Sequence, residues 1–188
     1  VIVCAPYWVS YPDMVLLNDA KPVVVTGPES QGFKLDAATL EAAITPRTRW
    51  LILNSPSNPS GAVYSAAELR ALTDVLLRHP QVWILSDEIY APFCYSGQSH
   101  ASPVQVEPQL IPRTLIVNGM SKSYAMTGWR IGYGAGPGDL IKAMSTVMSQ
   151  STSCPSAISQ VAAQAALEGD QSSVTQMVDI FKARRDLI

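Results

Sequence analysis

Three cysteines and two histidines are all the thiols and imidazoles that 188 residues offer to a metal ion or a disulfide framework. Cys4, Cys94 and Cys154 form no Cys-x-x-Cys pair, and His79 and His100 stand apart, so the spacings of a zinc site or a stapled secreted domain are missing. A reducing cytoplasm is the simplest home for such a chain. No apolar run approaches the roughly 20 residues of a membrane span, and no charged-then-apolar leader precedes the first strand-like run. Neither sign of charge dominates: 13 Lys and Arg stand against 15 Asp and Glu, so a basic nucleic-acid surface is not the default expectation. Small molecules are the expected partners, with no nucleic acid and no membrane. The glycine-rich stretch from Gly132 through Gly134 and Gly136 to Gly138 gives Gly-x-Gly-x-x-Gly in no register, and no strand-anchored acidic residue follows at the required distance. A nicotinamide dehydrogenase is thereby disfavoured, and the stretch reads as a strand end and turn where helix and sheet backbones approach closely.

What is present is the composition of an ordinary globular domain, 47% hydrophobic and 15% charged. Strand-like runs at 1–5, 23–26, 50–54, 82–86 and 114–118 alternate with helical periodicities, the pattern of an α/β fold with a parallel sheet. The clearest helix start is Ser65 with Glu68 three residues on, a capping box followed by Leu69, Leu72 and Leu76 on one face. Further helices are predicted over 36–44, 140–149 and 156–168, the last stopped by Gly169, and 96–112 reads as a long loop. Val174, Met177, Val178 and Phe181 mark a helical face still running at Ile188, while Val1 opens mid-strand. The expectation is a single domain that forms part of a longer protein.

The residues with chemistry to offer sit where these runs end. Lys122 lies among small residues in Gly119-Met-Ser-Lys122-Ser-Tyr-Ala, with Arg130 eight positions on. A lysine forms imines when its amine is partly neutral, which burial or a nearby cation brings about, and small neighbours with Arg130 in reach are expected to supply both. Arginine suits a phosphate because its planar fork donates in pairs. Taken alone, this pair also fits an exposed loop lysine and a surface ion-pair partner. The run 82–86 ends in Asp87, Glu88 and Tyr90. An aspartate beyond a strand end can keep a pyridinium nitrogen protonated, and a tyrosine one turn away can reach a ring hydroxyl; the plainer alternative is acidic residues at the start of a helix. The run 50–54 delivers Asn58 into a proline-stiffened turn, where its amide can donate to a phenolate-like oxygen or a carboxylate, although Asn-Pro is also a common turn signal. Trp8, after the opening strand, can cover a flat heteroaromatic ring or belong to a core.

Taken together, Pro-Tyr-Trp, Asn-Pro-Ser-Asn-Pro-Ser-Gly, Asp-Glu-Ile-Tyr and the lysine segment with Gly128, Arg130 and Gly132 occur in the order and approximate spacing of one family. The chain resembles the class I aminotransferases of pyridoxal-phosphate fold type I, above all the bacterial aspartate aminotransferase subgroup, over nearly its whole length. The resemblance implies a three-layer α/β sandwich with a mostly parallel sheet, residues 1–188 being the cofactor-binding large domain, and a cytoplasmic homodimer. It implies pyridoxal 5'-phosphate as cofactor and transfer of an amino group from an L-amino acid, aspartate-like, to a 2-oxo acid. It assigns Lys122 to the cofactor aldehyde, Asp87 to the pyridine nitrogen, Tyr90 and Asn58 to the ring oxygen, Arg130 to the phosphate and Trp8 to the ring face, with Trp8 and Asn58 also meeting substrate. Lys122, Asp87 and Tyr90 are the catalytic set. Where relatives often carry a phosphate-binding serine three residues before the lysine, this chain has Gly119, whose backbone N–H is a candidate donor, with Ser121 displaced beside it. The upstream phosphate-binding helix start and the downstream carboxylate-binding arginine of the family have no counterpart in these residues, and residues 1–188 alone are expected to transaminate poorly. A sensor domain of a transcription regulator, a non-catalytic assembly fragment, a β-lyase and an aromatic transaminase remain alternatives with the same residues.

Overall fold

The computed structural model describes residues 1–95, 97 and 99–188. The predicted strands appear as β1 (Ile2–Ala5), β2 (Val23–Thr26), β3 (Trp50–Asn54), β4 (Trp83–Asp87) and β5 (Thr114–Gly119), joined by a sixth, β6 (Gly132–Ala135). They form one sheet in the order β2-β1-β3-β4-β5-β6, parallel except for β6, which runs antiparallel to β5. The chain leaves β1 for one edge and returns on its other side as β3, so the order reverses between those two strands. Ligand crevices in open α/β sheets form beyond the carboxyl ends of strands at such a reversal.

Alternation along the strands builds two cores. Leu51 and Leu53 of β3 join Ile2 and Ile84 on one face, under α2 (Ala37–Ala43) and α3 (Ala66–Arg78), while Ile52 turns to the other face with Val3. There α1 (Ser10–Leu16) contributes Tyr11 and Val15. Helices on both faces of a sheet make the three layers expected.

Helix α3 begins as its sequence predicts. Ser65 Oγ accepts from Glu68 N at 3.2 Å, and Glu68 Oε2 accepts from Ser65 N at 2.8 Å. The far end is closed by a residue that the periodicity does not reveal: the Arg113 guanidinium donates to the carbonyls of Leu76, at 2.7 Å, and His79, at 3.1 Å. Ser65→Ala is expected to lower stability by about 1 kcal/mol, read from the midpoint of urea unfolding, because two backbone donors lose a reciprocal arrangement.

Three expectations are corrected. The glycine-rich stretch holds a strand, β6, where an added Cβ at Gly132 would lie 2.9 Å from Asn118 O. The close approach is therefore strand to strand, and the glycines that permit it also hide the strand from a hydrophobic pattern. Within 96–112, of which Ser96 and Gln98 lie outside the described residues, α4 (Pro103–Val106) and a 3-10 turn (Pro108–Arg113) replace the long loop. Pro103 and Pro108 each open one of these elements, a position where the missing N–H costs nothing. After β4 comes a tight turn rather than a helix, with Ala91 N bonded to Glu88 O at 2.9 Å. Downstream lie α5 (Met120–Ser123), α6 (Gly138–Ser151), α7 (Ala157–Glu168) and α8 (Ser172–Arg185), of which α6 and α8 bury no residue fully.

Candidate functional site

Because β1, β3, β4 and β5 are parallel, their carboxyl ends share one edge of the sheet, and antiparallel β6 begins at that same edge. Trp8 follows β1, Asn58 follows β3, Asp87 ends β4 with Tyr90 in the turn beyond, Lys122 rides on α5 directly after β5, and Arg130 precedes β6. All six line a single cleft of ≈ 300 Å³, together with Tyr11, Asn54, Ser121 and Thr127.

Asp87 is the most firmly held. Its Oδ2 accepts from Tyr11 Oη at 2.6 Å and its Oδ1 from Ile89 N at 3.1 Å. The Tyr11 phenol is pushed far above its usual range, first by burial and then by the Asp87 charge, so it stays a hydrogen-bond donor. The Trp8 and Tyr11 rings meet at right angles, with centroids 5.5 Å apart and an interplanar angle of 90°. Asn54 Nδ2 donates to Asp87 O at 3.0 Å while its Oδ1 accepts from Asn58 N at 2.7 Å. The loop presenting Asn58 is thus tethered to the strand presenting Asp87 through backbone groups, leaving the Asn58 amide out of the tether.

The opposite wall carries the cations. Lys122 Nζ lies 5.8 Å from the centroid of the Tyr90 ring. Burial, one of the two conditions expected for an imine-forming lysine, is not met in this chain: Lys122 is exposed, because the four-residue α5 projects it into an open cleft. Arg130 holds a left-handed backbone conformation, φ 53 and ψ 47, and donates from Nη1 to Thr127 O at 3.1 Å. Thr127 Oγ1 in turn bonds Ser121 O at 3.1 Å. Gly119 is no free donor, since its N–H is engaged by Asn118 Oδ1 at 2.7 Å. A Cβ there would come within 2.9 Å of Gly132 Cα, so β6 leaves no room for a side chain at that position.

One cleft therefore gathers a primary amine, a guanidinium, a carboxylate, a phenol, an amide and an indole. Amine for an aldehyde, guanidinium for a phosphate, carboxylate for a pyridine nitrogen and indole for a ring face make a donor set that fits pyridoxal phosphate. The sequence model of the family "Aminotransferase class I and II" matches residues 1–188. The chain belongs to that family.

Among aminotransferases, it is 58% identical to aspartate aminotransferase of Rhizobium meliloti (strain 1021), covering 100% of this chain and 46% of that protein. It is 57% identical to aspartate/prephenate aminotransferase of Cereibacter sphaeroides, covering 100% of this chain and 47% of that protein. The crystal structure of the Rhizobium meliloti aspartate aminotransferase superposes with a TM-score of 0.97 at 57% identity, covering 99% of this chain and 46% of that one. The chain thus spans about half the length of the aminotransferases it matches.

Tyr11, Asn54 and Thr127 escaped the sequence reading. Tyr11 stands three residues after Trp8, a spacing that places both on one side of a helical turn. Its partner Asp87 is 76 residues away, however, and no local pattern joins them.

Proposed function

We infer that residues 1–188 are the pyridoxal-phosphate-binding large domain of an aminotransferase that moves an amino group from an L-amino acid, aspartate-like, to a 2-oxo acid such as 2-oxoglutarate. The observation that carries this reading is the convergence of Trp8, Asn58, Asp87, Tyr90, Lys122 and Arg130 on one cleft. When bound, pyridoxal phosphate supplies an aldehyde for amines and a ring that takes up electron density.

Each side chain has a task around that group. The Lys122 amine would hold the aldehyde and, as a free amine, would move the proton released from the substrate Cα. Asp87, oriented by Tyr11 and Ile89 N, holds the proton on the pyridine nitrogen. Tyr90 and the Asn58 amide meet the ring oxygen, and Asn58 also meets the substrate α-carboxylate. Arg130, with Ser121 and Thr127 beside it, binds phosphate, and Trp8 covers the ring and keeps water from its face. The active form in this reading is a homodimer.

The experiment is a panel of L-amino acids in single-turnover half-reactions with the intact protein, followed by the cofactor's visible absorption. Aspartate is expected to react fastest. Absence of a spectral change with every amino acid overturns the reading. Aromatic donors are the second reading, favoured by an apolar hollow of ≈ 420 Å³ that shares Tyr90 and Lys122 with the cleft and is walled by Phe93, Met177 and Phe181. Aromatic amino acids outpacing aspartate in the same panel select it.

A further inference from the structure

Glu88 follows Asp87 in the chain but faces the opposite way, as successive side chains at a strand end do. Asp87 lines the cleft, whereas Glu88 is 7% exposed. Its Oε1 accepts from Ser86 Oγ at 2.8 Å and Ser102 Oγ at 2.6 Å, and its Oε2 lies 3.0 Å from His100 Nε2. The other ring nitrogen of His100 is buried with no partner among the described residues, so the contact with Glu88 orients the ring. Burial works to raise the Glu88 carboxyl, and the hydrogen bonds from His100, Ser102 and Ser86 together outweigh it, leaving it below its ordinary value. From β6, Tyr133 also faces this charge; its phenol is pushed up by burial and then by Tyr124 and Glu88.

A buried carboxylate is costly unless its oxygens are fully engaged, and an apolar side chain would fill the same volume without that requirement. What the carboxylate adds is a fixed tie between the end of β4 and the segment that opens α4. The backbone extends the tie. Glu88 N donates to Val117 O of β5 at 2.9 Å, and Glu88 O accepts from Ala91 N at 2.9 Å, closing the turn that presents Tyr90. Glu88 therefore stands between two cleft residues, Asp87 before it and Tyr90 after it, while anchored on the strand that leads to Lys122.

We propose that Glu88 is a positioning residue for the cofactor cleft: its carboxylate, held by Ser86, Ser102 and His100, fixes the end of β4 so that Asp87 and Tyr90 keep their places. This rests on the pyridoxal-phosphate reading of the same cleft. The test uses the intact protein and Glu88→Gln, which preserves volume and turns one acceptor of the network into a donor. Three quantities are measured: the Kd for pyridoxal phosphate by fluorescence titration of the apo protein, the pH dependence of the bound cofactor's visible absorption, and the thermal midpoint.

Glu88→Gln is expected to raise Kd about tenfold, as loss of a supporting shell does at other ligand sites, and to displace the absorption transition by about half a pH unit. Ser102→Ala, which removes a single bond, is expected to move both readouts the same way by roughly threefold in Kd. A lowered thermal midpoint with wild-type Kd and absorption profile makes Glu88 merely structural and overturns the proposal. Should Glu88→Gln fail to fold, Ser102→Ala decides by the same readouts. Wild-type protein that takes up no cofactor overturns the cleft's reading and this inference with it; equal uptake by wild type and both variants overturns the inference alone.

Discussion

Lys122→Ala is expected to abolish the covalent adduct that borohydride fixes between the protein and pyridoxal phosphate, and to slow amino-group transfer by about 10²–10⁴-fold. The expectation follows from the composition of the cleft. Among its lining residues Lys122 supplies the only primary amine, so no neighbour can take over the imine. The Arg130 guanidinium stays charged and does not substitute. Lys122→Arg separates charge from chemistry: it keeps a cation near Tyr90 and is expected to leave the adduct absent. Peptide mapping after reduction is the measurement. An adduct of undiminished yield in Lys122→Ala, attached elsewhere, sinks the assignment.

Asp87→Ala carries the second large effect, on two observables at once. Removing an opposite charge beside a titrating nitrogen changes its proton affinity by 1–3 pH units in typical sites, which corresponds to a loss of about 10–10³-fold in a step that needs the protonated ring. The same substitution strips the hydroxyl of Tyr11, a buried residue, of its acceptor, at a cost of about 1–3 kcal/mol in folding stability. Tyr11→Phe divides the two effects. It leaves the Asp87 carboxylate in place, so cofactor absorption stays nearer to wild type, while Asp87 keeps, among the described residues, the Ile89 N–H as its orienting donor. Half-reaction rates and thermal unfolding of the apo protein measure both. An Asp87→Ala protein with unchanged rates refutes a role at the pyridine nitrogen.

The parts of this chain that could be read in advance were those encoded by neighbouring residues. Leu51, Ile52 and Leu53 announce a strand because a parallel strand covered on both faces is apolar throughout. Ser65 and Glu68 announce a helix because both partners of the cap lie within one turn. Trp8, Asn58, Asp87, Tyr90, Lys122 and Arg130 were legible because each sits just beyond such an element, and they share a cleft because the elements share a direction. What escaped depends on distant partners. Tyr11 finds Asp87 only after the sheet forms, Arg113 finds the end of α3 only after β5 is in place, and β6 is a strand by pairing rather than by pattern. The exposure of Lys122 is of the same kind, since small neighbours in sequence do not place a wall across the cleft.

The contact of Gly119 with Gly132 ties together the two segments that carry Lys122 and Arg130. Lys122 leaves the sheet three residues after the first glycine, and Arg130 enters it two residues before the second. The two glycines lie so close that an added Cβ on one would come within 2.9 Å of the other's Cα. Backbone contact therefore sets how far apart the two segments carrying the amine and the guanidinium lie, and their long side chains supply the remaining reach. A side chain at Gly119 would push these two segments apart, and in the reading proposed above it would draw the amine and the guanidinium away from opposite ends of the same ligand.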